Sequence, residues 1–142
     1  MNTSIDNITS NISNGLTFSS SVLNQAPVIS SNNLNHIFAV KSFENLPKNW
    51  DSYNANKPSS IAVIKAIDFI IFTSDRKLDV FFSAPTPDGD ILIEFKNNTA
   101  NLELIFSSST DDKIIASNNN NFSSEAHLNE TTFTSYLKWL ND

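Results

Sequence analysis

The spacing of apolar positions changes character three times along the chain. Leu34, Ile37, Phe38, Val40 and Phe43 recur at helical intervals. They predict a first helix from about Leu34 to Asn45, capped by Asn32 or Asn33 and stopped by Pro47. A second helix follows Pro58, with a serine as its cap. Ile61 to Phe72 is apolar on nearly every side, the mark of a helix held between a sheet and another helix. Lys65 and Asp68 interrupt it at i,i+3 and read as a solvated stripe.

Beyond Lys77 the period drops to two. "LDVFFSAPTPDGDILIEFKNN" reads as strand, loop, strand, and Asp88-Gly89 marks a tight hairpin that needs positive φ. Ile91, Ile93 and Phe95 share one face, with Leu92 and Glu94 on the other. Leu102, Leu104 and Phe106 repeat the inward set, with Glu103 and Ile105 outward. Asp112 to Ser117 supplies a fourth strand, and "NNNNFSSEAH" reads as a polar loop. The helical period returns at Phe133, Tyr136, Leu137 and Leu140, behind Asn129 as cap, with Trp139 beside the stripe.

These patterns predict an α+β domain over residues 33–142: two N-terminal helices, a three- to four-stranded antiparallel meander and one C-terminal helix. Residues 1–32 are dominated by Ser, Asn and Thr and read as a flexible tail. Ile5, Ile8 and Ile12 come near helical spacing, so a segment that folds on a partner is the alternative.

Composition narrows the functions. A length of 142 residues suits one domain, and the absence of cysteine removes disulfides and thiolate metal sites. The net charge of −6 and the scattered lysines disfavour direct nucleic-acid binding and allow a basic protein partner. No apolar run reaches the roughly 20 residues of a membrane span, and the N-terminus lacks a secretory pattern. The expectation is a cytoplasmic protein without membrane contact. The only glycines are Gly15 and Gly89, so no glycine-rich phosphate loop exists. His36 and His127 are the sole histidines, and no serine has a nucleophile-elbow context. Neither a catalytic set, a cofactor nor a metal site is expected. Glu94 and Glu103 are placed as cross-strand neighbours on one sheet face, more fitting as solubility charges than as an acid–base pair.

"LPKNWDSYNANKPSS" sets Trp50 and Tyr53 among turn-forming residues. The first reading is a plug: both rings fill the corner between the helices, and Asp51 accepts backbone N–H bonds as in an Asx-turn. The second is a recognition loop.

The same loop, with "PTPDGDILIEF" and "NLELIF", resembles a family of short bacterial domains with a signature N-W-D-G-Y-G-A followed by P-x-P-x-x-D-G-x-I-x-L-E-W. Asn49, Trp50, Asp51, Tyr53 and Ala55 match the first motif; Asp88, Gly89, Ile91 and Glu94 match the second, with Pro87 shifted in spacing. Ser52 and Asn54 stand where that family tends to have glycine, and Phe95 where it tends to have tryptophan. The resemblance implies a compact α+β module often encoded beside mobile or defence-like genes. It leads to the expectation of a non-enzymatic protein-binding module of the antitoxin, immunity or phage-defence accessory type, with a toxin or nuclease encoded nearby as partner. The candidate residues are Trp50, Asp51, Tyr53, Asp88, Glu94, Glu103 and Trp139. The rival readings are a small enzyme with a pocket at the Trp50–Tyr53 loop and a structural subunit of a larger assembly.

Overall fold

Serine and asparagine caps, then strict alternation, set the order of elements in the computed structural model, which describes residues 28–142. That order is α1 (Ser31–Phe43), α2 (Ser60–Ser74), β1 (Phe82–Pro85), β2 (Ile91–Asn97), β3 (Ala100–Phe106), β4 (Lys113–Asn118), β5 (Ser123–His127) and α3 (Glu130–Asn141). The strands form one antiparallel meander in the order β1-β2-β3-β4-β5. The α+β class and the helix–strand–helix order match the sequence pattern; the sheet has five strands where three to four were expected.

The fifth strand corrects the loop assigned to "NNNNFSSEAH". Asn118 Oδ1 accepts the N–H groups of Asn120 and Phe122, and Asn121 sits at φ 63°, which turns the chain back onto β4. An edge strand needs only one partner, so Ser-Ser-Glu-Ala-His holds its place without apolar alternation. Of the tail expected over residues 1–32, positions 1–27 and their isoleucines lie outside the described residues. Ser30 to Asn32 belong to the folded part. Ser30, not Asn32 or Asn33, caps α1, its Oγ accepting the Asn33 N–H at 3.1 Å. Asn33 is buried as a clamp instead. Its Nδ2 donates to Leu78 O at 2.7 Å and to Ser74 Oγ at 3.1 Å, and its Oδ1 accepts the Val80 N–H at 2.8 Å. It ties the start of α1 to the α2–β1 connection.

Ile91, Ile93, Phe95, Leu102, Leu104, Phe106, Ile114 and Ala116 are buried on one face of the sheet, and their cluster includes residues of all three helices. Phe69 of α2 sits at the junction, its ring 4.9 Å from Phe133 of α3 and 5.4 Å from Phe106 of β3. Offset and edge-on aromatic contacts of this kind add to the area they bury. On α1 only Val40 of the predicted apolar set is fully buried; Leu34 and Phe38 are exposed.

Lys65 is not part of a solvated stripe. It is buried, and its Nζ lies 2.9 and 2.8 Å from the two Asp112 carboxylate oxygens and 2.8 Å from Ser109 O. Asp112 also accepts the Ser107 N–H at 2.7 Å. The pair pins the β3–β4 loop to α2. A buried cation needs such partners, and this one is 47 residues away in the sequence. Among the described residues, no helix is long and apolar enough to cross a membrane.

Candidate interaction surface

The period-two pattern gives the sheet a second face on which none of the described helices packs. Its residues line up across the strands by register. One row reads Phe82, Glu94, Glu103, Ile115, Glu125. The next reads Ala84, Leu92, Ile105, Lys113, His127. A third holds Lys96, Asn101, Ser117 and Ser123. At a strand spacing of about 4.8 Å, the first two rows are each roughly 19 Å long over five strands.

Glu94 and Glu103 are direct cross-strand partners, as the alternation predicts. Burial among neighbouring side chains pushes the Glu94 carboxyl above its ordinary range, the Glu103 charge pushes it further, and Lys96 opposes both. Like charges directly opposite each other on a sheet oppose folding. The central row therefore carries three carboxylates and no cation, with Phe82 and Ile115 as apolar members. Leu92 and Ile105 flank it, and Phe82 is 47% exposed. Of the lysines, Lys96 reaches back over the Phe81 ring at 5.1 Å.

The Trp50–Tyr53 loop is not the plug expected. Tyr53 is 88% exposed and fills no corner. Trp50 is half-buried and its indole N–H donates to Asn56 O at 3.0 Å. Ala55 takes the buried position. What holds the loop is polar: Asp51 Oδ1 accepts the N–H groups of Tyr53 and Ala55 at 2.8 and 3.0 Å, the Asx-turn foreseen for it. Asn49, Ser52 and Asn54 all adopt φ between 64° and 68°. Ser52 and Asn54 thus occupy left-handed backbone, a conformation that glycine adopts freely and other residues adopt at a cost.

The two motif halves meet. Asn56 N–H donates to Pro87 O at 2.8 Å and Ser59 N–H to Gly89 O at 2.9 Å. Gly89 lies at φ 88°, and a Cβ there would stand 2.9 Å from Lys57 O. Asp88 contributes its backbone carbonyl, which accepts from Asn56 Nδ2 at 3.5 Å, while its side chain faces solvent. The Asp88–Gly89 turn thus anchors the Trp50–Tyr53 loop. Asp90, just beyond, is pushed above the ordinary aspartate range by burial first and by Asp88 and Asp112 next.

Trp139 stands at the rim of the core, half-buried, 5.3 Å from the Phe122 ring. With Ala116, Ser124, Ser135 and Tyr136 these rings line a cleft of about 220 Å³ between α3 and β5. A shallower groove of about 420 Å³ continues past Ser135 to Glu130, Thr131 and Thr134. Trp50, Asp51 and Tyr53 line neither. The structure also brings together one pair that spacing did not suggest: His36 Nδ1 and Ser83 Oγ are 2.8 Å apart across the α1–β1 seam, and burial holds the imidazole below its ordinary pKa. The described residues contain no group of three or more His, Cys, Asp or Glu side chains able to hold a metal ion.

Sequence reasoning missed Glu125 and His127 because their strand was read as a loop. The alternation of Ser124 and Ala126 with Ser123, Glu125 and His127 was the available signal, too short and too polar to stand out. In comparisons with family models, curated proteins and solved structures, nothing matches this chain.

Proposed function

We propose that this chain is a non-enzymatic protein-binding module of the antitoxin, immunity or phage-defence accessory kind, and that it engages a basic partner through the open face of its sheet. The observation that supports this reading is the cross-strand Glu94–Glu103 pair on a face that no described helix covers, set between Phe82 and Ile115. Apolar side chains left on an open plate mark interaction surfaces, and carboxylates among them favour a cationic partner. A nuclease or a toxin acting on nucleic acid presents such cations, because it must hold phosphates. Binding would relieve the repulsion between the two glutamates and cover Leu92 and Ile105 in the same step.

The test is association with the product of the neighbouring open reading frame. The expected result is a complex at micromolar concentration that weakens steeply with salt and is lost in the Glu94→Lys/Glu103→Lys double variant. A complex indifferent to salt and to both reversals refutes this interface. A protein that remains alone refutes this partner.

A further inference from the structure

We infer that the outer edge of β5 takes up an extended segment of the basic partner as a sixth strand, with alternating side chains shared between the aromatic cleft and Glu125. The inference rests on the reading above and names how the partner is held.

Leu128 N–H donates to Asp112 O, and Asn118 N–H donates to Phe122 O. These bonds bracket β5 and fix the parity of the ladder, so Ser124 and Ala126 bond inward to β4. The N–H and C=O groups of Ser123 and Glu125 then point outward, where no described strand pairs with them. The two edges of the sheet differ. β1 contains Pro85 and is held against α1 through Ser83 and His36. β5 contains no proline, and its register with β4 runs without a bulge. Of the usual devices that block strand addition, proline and a bulge are absent from it, and its one charge, Glu125, would repel an acidic strand and attract a basic one.

Ser124 lies on the helix side of β5, and its Oγ is 2.9 Å from Tyr136 Oη at the wall of the cleft. A strand laid beside β5 would project every second side chain to that side, next to Phe122 and Trp139. Small residues, Ala116 and Ser124, floor the cleft, which suits a single apolar side chain. The intervening side chains would lie on the open face beside Glu125, the last member of the glutamate row. The fitting segment therefore alternates apolar residues with Lys or Arg. A second copy of β5 does not fit: antiparallel pairing centred on Glu125 sets two glutamates opposite each other. Residues 1–27 contain no Lys or Arg and do not fit the charge either.

The experiment uses the full chain and two heptapeptides of one composition, Lys-Val-Lys-Phe-Lys-Val-Lys and the block-ordered Lys-Lys-Lys-Lys-Val-Phe-Val. Amide exchange is followed at Ser123 and Glu125, with ring resonances of Phe122 and Trp139. The expected result is at least a tenfold slowing of both amides and shifted ring signals with the alternating peptide alone. Glu125→Lys, whose side chain makes no ladder bond, should weaken the effect about tenfold, and Ser124→Phe should abolish it by filling the cleft. Equal response to both peptides on the open face without edge protection overturns strand addition while leaving the interface reading intact. Edge protection without peptide that grows with protein concentration overturns it in favour of a second copy. Protection without peptide that vanishes on deletion of residues 1–27 overturns it in favour of the chain's own leading segment. No response at the sheet overturns it outright, and the Glu94/Glu103 reversal on the protein complex then judges the interface by itself.

Discussion

Replacing Lys65 by Met tests the buried pair that locks α2 to the β3–β4 loop. Methionine has similar length and keeps the apolar stem packed, so the perturbation is the loss of the ammonium. In the native chain that ammonium makes three contacts of 2.8–2.9 Å with Ser109 O and both Asp112 oxygens. Both side chains are only 2% exposed. The variant leaves Asp112 charged, buried and supported mainly by Ser107, and it leaves Ser109 O without this donor. Breaking a buried pair from one side costs about 3–5 kcal/mol. Against a total of roughly 5–15 kcal/mol, that is a large share. With a urea m-value of roughly 2 kcal/mol/M, the midpoint should fall by about 2 M. The double variant Lys65→Met/Asp112→Asn keeps an oxygen for the Ser107 N–H and removes the stranded charge. It should recover part of the loss, with a coupling of roughly 2 kcal/mol. A Lys65→Met loss below about 1 kcal/mol, the range of exposed pairs, would refute the claim that water is excluded there.

Three further outcomes follow from the sheet and the motif loop. Glu94→Gln should stabilise the chain at pH 7 by about 0.2–1 kcal/mol, because it removes a like-charge cross-strand pair. The carboxyl is raised in the folded state, so the folded state binds the proton more readily. The wild type therefore regains ground as pH falls through the raised value, and the gap should close below the ordinary glutamate range near 4.5 in parallel urea titrations. Ser52→Gly should raise stability by about 0.5 kcal/mol, since relief of roughly 1–2 kcal/mol of left-handed strain exceeds the added unfolded-state freedom. Gly89→Ala should lower the thermal midpoint, at a cost of about 2 kcal/mol or more, because the new Cβ meets Lys57 O at a strained φ.

Periodicity carried most of the fold. The strict alternation in β2 and β3 puts Glu94 and Glu103 on one sheet face, while their direct pairing is set by the register, and Asn129 is legible as a cap because a helical stripe follows it. Three features were hidden for distinct physical reasons. Lys65 read as solvated because its partner lies on a distant loop, and no local pattern announces a buried ion pair. Asn33 read as a cap because a polar residue beside a helix start usually is one; here its amide satisfies the backbone of another connection. β5 read as a loop because an edge strand draws its stability from backbone bonds rather than from an apolar face. Tyr53 shows the converse error: a large ring suggested burial, yet the Asp51 carboxylate and left-handed backbone organise that loop without it.

On the proposed function, the uncovered sheet face is the surface at which this protein works. The most direct test of this is methyl and amide NMR of the labelled chain titrated with the product of the neighbouring reading frame. The predicted result is perturbation of Leu92, Ile105 and Ile115 together with Glu94, Glu103 and Glu125, while the Trp50–Tyr53 loop stays unchanged. Perturbations confined to that loop, with the sheet face silent, would contradict it.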